Sequence, residues 1–238
     1  MTGTFLNIAT VLVGGALGLA FGARLPERIR QTVVAGLGLF TLAYGLTLFI
    51  GTQNPIIVLL ALLVGGVLGE WWQIEAGLAG FGEWLQARFA SGVEGGSARF
   101  VRGFLTASLV FCIGPMTILG SIQDGLTGNF RLLAIKSVLD GFAGMVFAST
   151  LGLGVLFSTL VILVFQGGIS LLAQQAQTIF TDSMIAELSA TGGILLLGIA
   201  ISSLLEIKSI RVGNFLPALV LAPLIVFILA AMGFSVSF

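Results

Sequence analysis

Long apolar stretches alternate with short polar ones along the whole chain. A membrane-crossing helix needs about 20 predominantly apolar residues, and about eight stretches approach or meet that length: 4–23, 33–50, 55–72, 100–122, 132–151, 154–173, 188–205 and 215–234. Only "GLG" around Gly152 separates the fifth from the sixth, a spacing that predicts a tight helical hairpin. Two connecting stretches read instead as helices lying along the headgroup layer. In "GEWWQIEAGLAGFGEWLQARF", Trp71, Trp72, Leu78, Phe81, Trp84, Leu85 and Phe89 recur at helical spacing among charged residues, which places an aromatic side in lipid. "LPERIRQTVV" is a shorter version with Pro26 at its first helical position.

The order of these elements suggests an internal repeat. Residues 4–72 contain a span, a polar connector, a Gly-rich span and an Asn-Pro opening a third span; residues 154–234 run through the same series, ending in "GNFLP". A central segment, 100–151, lies between them, and all of 1–238 reads as a single transmembrane domain. With eight spans, the basic groups Arg24, Arg28 and Arg30, then Arg88, Arg99 and Arg102, then Lys208 and Arg211 fall on one side. Basic loops tend to stay cytoplasmic, so both termini are expected outside. The two copies then enter the membrane from opposite faces, an inverted plan recurrent in secondary transporters with midplane binding sites.

Composition agrees with a bilayer setting: 57% of the 238 residues are hydrophobic, 8% are charged, and mean hydropathy is +1.14. Ten basic residues balance ten acidic ones, which leaves no surface suited to phosphate backbones, so nucleic acid is not an expected partner. Histidine is absent, which removes the usual neutral-pH base and the commonest metal ligand. No cofactor and no enzymatic activity are expected. The single Cys112 cannot form an intrachain disulfide. The first apolar run lacks a basic lead-in and a cleavage pattern and reads as a retained membrane segment. The 34 glycines, many at small-xxx-small spacing, point to close helix packing and to a homodimer rather than to phosphate binding.

Against that apolar background, a few polar residues carry the candidate chemistry. Asp140 lies near the middle of the fifth span with Lys136 one turn earlier on the same face. A charge at that depth costs about 2.5–3.5 kcal/mol on insertion scales, and such residues mark ion or solute pathways by default. Gly114 and Pro115 interrupt the fourth span, and the backbone groups that a break frees are tolerated where they line protein or a wet cavity. Ser121, Gln123 and Asp124 follow near its outer end, where a vestibule would open. Gln166 in the sixth span and Asn7 in the first can hydrogen-bond across helices. Thr41, Tyr44 and Thr47 mark one side of the second span, while Glu206, Lys208 and Arg211 read as a solvated loop.

The stretches "GTFLNIATVLVGGALGLAFGARLPERI", "NPIIVLLALLVGGVLGEWWQIE", "FCIGPMTILGSIQDGL", "KSVLDG" and "TGGILLLGIAISSLLEIKSIRVGNFLPAL" together resemble the prokaryotic membrane family labelled domain of unknown function 554. The resemblance implies a bacterial or archaeal inner-membrane protein, sometimes described as a transporter, and names no substrate. The sequence thus predicts an all-α polytopic membrane protein, with the bilayer and a small polar or ionic solute as partners. Asp140 and Lys136 form its charged centre; Gln123, Asp124, Gly114, Pro115, Gln166 and Asn7 complete the expected solute site. The alternatives are a channel lined by the same residues, and a non-transporting scaffold or lipid-binding module.

Overall fold

The computed structural model describes residues 1–22, 26–89, 96–112 and 115–234. Its elements are α1 (Thr2–Gly22), α2 (Glu27–Ile50), α3 (Pro55–Trp71), α4 (Ile74–Phe89), α5 (Gly96–Cys112), α6 (Pro115–Thr127), α7 (Arg131–Leu151), α8 (Gly154–Leu171), α9 (Ala173–Ile179), α10 (Asp182–Ile199) and α11 (Pro217–Ala231). A π-helical turn, Ala200–Leu204, extends α10, and a 3-10 turn, Val212–Phe215, precedes α11. The described residues contain no strand.

Among the described residues, six helical stretches are long and apolar enough to cross a membrane, and up to eight if each of two bent pairs counts as one span. The bent pairs are α3 with α4, turned by 60°, and α5 with α6, turned by 62°. The first bend follows from Gln73, whose φ of 53° ends the helical run after Trp72. The second is the expected break at Gly114 and Pro115. Gly114 lies outside the described residues, and Pro115 opens α6. Gly152, with a φ of 84°, separates α7 from α8 in a conformation that favours glycine.

Some boundaries differ from those the pattern predicts. The stretch read as a short interfacial helix before the second span is the start of α2, which runs unbroken because no Gly or Pro interrupts it before residue 36. Pro26 sits just ahead of that helix rather than at its first position, and its carbonyl accepts the amide of Ile29 at 2.9 Å. The seventh span begins at Asp182 instead of residue 188, because Thr181 caps it by accepting the amide of Met184 at 3.3 Å.

The chain divides into two compact units. Unit 1 comprises residues 1–36 and 79–179, and unit 2 residues 37–78 and 180–238. Within unit 1, α1 packs along α7 at backbone distance: a Cβ added to Gly14 would run into the carbonyl of Gly141, and one on Gly18 into that of Met145. This is the small-xxx-small seam that membrane helices use in place of hydrophobic collapse. α5 lies against α8, with the Phe100 and Phe157 rings 5.2 Å apart, and Arg99 donates from Nη2 to the Thr150 carbonyl in the last turn of α7 at 2.9 Å.

Within unit 2, α3 packs on α11 through Ala61, Ala218 and Ala222, and Gly69 meets the backbone of Asn214. The 37–50 part of α2 meets α10 where Gly45 and Gly193 face each other. In both units the large exposed side chains are apolar: Val13, Phe142 and Val164 in unit 1, Phe40, Val67 and Val220 in unit 2. Many polar residues within the helices are buried, among them Asn7, Ser137 and Gln166 in unit 1 and Glu187 and Thr191 in unit 2. That polarity is what a lipid solvent demands, because lipid offers buried backbone and polar groups no partner.

Candidate functional site

The polar centre of unit 1 is assembled from four helices, and each contributes a side chain for a local reason. On α7, residues 136 and 140 are one turn apart, so the Lys136 ammonium reaches forward to Oδ2 of Asp140 along the helix face. Both side chains are less than a tenth exposed. The Gly-rich seam holds α1 so close to α7 that Asn7, which is fully buried, donates from Nδ2 to the same carboxylate oxygen at 2.9 Å. The same amide nitrogen donates to Oε1 of Gln166 on α8 at 3.0 Å, and Gln166 Nε2 donates to the Thr4 hydroxyl at 3.3 Å. α1, distant in sequence, and α8, the next helix along the chain, are thereby joined to the charged pair on α7.

The orientation of the Asn7 amide follows from its neighbours. Both are acceptors, so the nitrogen must face them and the oxygen must face away. That oxygen, Oδ1, is buried and has no partner among the described residues. An unpaired buried acceptor of this kind is unusual.

Asp124 on α6 occupies a neighbouring layer. Its Oδ2 accepts the backbone amide of Gly3 at 3.0 Å and lies 2.9 Å from the amino nitrogen of Met1, at the first turn of α1. A carboxylate there complements the positive end of the helix dipole. Its other oxygen is buried and unpaired, as is the hydroxyl of Ser170 on α8. Asp124 is 3% exposed, so it does not stand open at a vestibule, whereas Gln123 is exposed beside it and takes no part in the cluster. Gly114 lies outside the described residues. The break it was expected to form does not leave the preceding carbonyl free: the Thr117 hydroxyl donates to the carbonyl of Phe111 at 3.2 Å.

Sequence reasoning missed a further buried carboxylate, the third among the described residues after Asp140 and Asp124. Glu187 on α10, in unit 2, is fully buried. Its Oε2 accepts the Thr52 hydroxyl at 2.7 Å, and its Oε1 accepts the backbone amides of Gln53 and Asn54 at 2.7 and 2.9 Å. Asn54 in turn caps α3 by accepting the amide of Ile56 at 3.1 Å. The available signal is a lone acid directly before the apolar run "LSATGGILLLGIAI". Unit 2 also holds a latch at α3, α4 and the loop before α11. Asn214 donates to Glu70 at 2.7 Å and accepts the amide of Glu75 at 2.7 Å, Gly213 donates its amide to Glu75 at 2.6 Å, and Arg211 pairs with Glu70 at 2.6 Å. Arg211 is thus paired with Glu70, and Lys208 and Glu206 are exposed.

Comparison with known proteins places this arrangement in context. Residues 2–227 match the model of a family described as protein of unknown function (DUF554). An "Uncharacterized protein YqgA" from Escherichia coli (strain K12) is 35% identical over 221 residues, covering 92% of this chain and 94% of the relative. An "Uncharacterized membrane protein YdfK" from Bacillus subtilis (strain 168) is 30% identical over 238 residues, covering 98% of this chain and 99% of the relative. No solved structure matches the chain.

Proposed function

The chain belongs to the DUF554 family, and from that premise we propose that it is a multi-pass carrier of a small polar or ionic solute in the cell's inner (plasma) membrane, with both termini outside. The observation that supports this reading is the buried Lys136–Asp140 pair, to which α1 and α8 each bring an amide side chain. Burying two charges at membrane depth is costly even when they meet, and well-packed apolar residues of similar volume commonly serve stability as well or better. A pair retained there, with an unsatisfied acceptor beside it, suits a site that exchanges partners.

In this reading Lys136 is a tethered counter-ion. It neutralises Asp140 when the site is empty and gives way when the solute binds. Asn7 and Gln166 sense that exchange directly, because both are bonded into the carboxylate network, and they pass it to α1 and α8. The inner-membrane setting and orientation rest on the placement of Lys and Arg along the sequence.

The test is thermal unfolding of the purified full chain across salts, amines, amino acids and organic acids. A ligand that binds only the folded protein raises the melting temperature by mass action. The expected result is a saturable rise with at least one compound in the wild type and none with that compound in Asp140→Asn. A rise of the same size in both would remove Asp140 from the site and overturn the assignment.

A further inference from the structure

The unpaired atoms of unit 1 point to the charge of the solute. Gly3 and Asn7 are one turn apart on α1, about 6 Å along the axis at 1.5 Å per residue. Gln166 and Ser170 are likewise one turn apart on α8. The two helices meet in the same register: Gln166 bonds Thr4 and Asn7, while a Cβ at Gly167 would lie 3.5 Å from Met1 and 3.7 Å from Thr4. α6 joins them at Gly125, which packs against the Ser170 carbonyl, and at Asp124, which accepts from Gly3.

The result is two adjoining polar layers, Asp124 with Ser170 and then Asn7 with Gln166 and Asp140. The unpaired buried atoms in these layers are Asp124 Oδ1, Ser170 Oγ and Asn7 Oδ1, and all of them are oxygens. The residues that carry them are 3%, 4% and 0% exposed. No side-chain nitrogen of these layers is left unpaired among the described residues. The atoms left wholly without a partner are carboxylate, amide and hydroxyl oxygens, the ligand set of a hard cation or an ammonium. Asp140 already holds one ammonium, that of Lys136, and a monovalent cation carries the same charge as the group it would displace from that carboxylate.

We propose that this face of unit 1 binds a small monovalent cation, with Asp124 Oδ1, Ser170 Oγ and Asn7 Oδ1 as successive oxygen ligands on the way to Asp140. This deepens the carrier reading and rests on it: the solute, or the ion coupled to it, is cationic. The ligand is either an inorganic alkali cation or an ammonium group, and both share this chemistry.

The experiment is thermal unfolding of the full chain in sodium, potassium, ammonium, methylammonium and N-methyl-D-glucamine chlorides at constant ionic strength. The proposal expects a saturable rise with at least one small cation over N-methyl-D-glucamine. Sodium or potassium alone identifies an inorganic ion, and ammonium with methylammonium identifies an amine. Ser170→Ala, a small change that removes only the hydroxyl, should raise the half-saturating concentration at least threefold, and Asp124→Asn at least tenfold. Should Asp124→Asn fail to fold, Ser170→Ala alone decides. Equal melting temperatures in all five chlorides, or an unchanged midpoint in Ser170→Ala, overturn the cation site. If an anion or neutral compound gives an Asp140-dependent rise while every cation is inert, the cation inference falls and the carrier stands. If a cation rise survives in Asp140→Asn, the cation site stands and the carrier reading loses its centre.

Discussion

Replacing Lys136 with Met keeps the unbranched apolar stem of the side chain and removes its ammonium group. The structure makes that deletion expensive. Both members of the pair are less than a tenth exposed, and Asp140 would keep a single side-chain donor, the Asn7 amide at 2.9 Å. At the effective dielectric that reproduces measured ion pairs, about 20, two unit charges 4 Å apart attract by about 4 kcal/mol. Removing one partner of a buried pair costs about 3–5 kcal/mol in comparable cases. For a chain of this size each kcal/mol moves the melting temperature by about 2–4 °C, so Lys136→Met should unfold about 6–20 °C earlier in detergent. The double variant Lys136→Met/Asp140→Leu should recover most of that loss, because no charge remains buried, and the coupling in the cycle should exceed about 1.5 kcal/mol. A second readout separates charge from shape: ammonium or methylammonium at tens of millimolar should partly restore the melting temperature of Lys136→Met by filling the vacated position beside Asp140. A melting temperature for Lys136→Met within about 2 °C of wild type, with no coupling in the cycle, would refute the claim that the pair is held as a charged centre.

Further outcomes follow from other contacts. Glu187→Gln replaces an acceptor of one hydroxyl and two backbone amides; since bonds to charged groups contribute about 1.5–3 kcal/mol each, it should cost about 2–4 kcal/mol and speed amide exchange at residues 53 and 54. Gly18→Leu drives a side chain into the Met145 carbonyl on α7 and should cost at least about 1–3 kcal/mol as overpacking, whereas Gly36→Ala, with nothing within 4 Å, should change the melting temperature by less than about 2 °C. Thr117→Val leaves the Phe111 carbonyl without its hydroxyl donor and should cost about 1–3 kcal/mol in thermal unfolding, while Thr117→Ser should be nearly neutral.

The membrane class and the placing of most helices were legible because lipid imposes a length and a composition that leave few alternatives. The Lys136–Asp140 pair was legible for the same reason, since two charges four residues apart stand out in an apolar run. Asn7 and Gln166 were visible only as polar residues in spans. Their convergence on Asp140 depends on how closely α1 approaches α7, which Gly14 and Gly18 decide; the small-xxx-small spacing of these glycines signals a close approach but does not say which helix is the partner. Glu187 was hidden because its significance comes from amides at residues 53 and 54, more than 130 positions away, and because Thr181 starts the helix earlier than hydropathy alone indicates. Asp124 was recognised as a polar candidate but placed at an open mouth. Only the packing of α6 against α1 and α8 shows it to be buried.

Uptake into proteoliposomes is the most direct test of the carrier. Vesicles bearing wild type, Asp140→Asn or no protein would be incubated with a mixture of alkali and ammonium salts, amines, amino acids and organic acids, and their contents read by mass spectrometry. The account predicts that at least one solute enters wild-type vesicles saturably and above the empty control, and that Asp140→Asn abolishes this uptake while remaining folded and monodisperse. Uptake that Asp140→Asn leaves unchanged, or no uptake above empty vesicles for any solute, would contradict it.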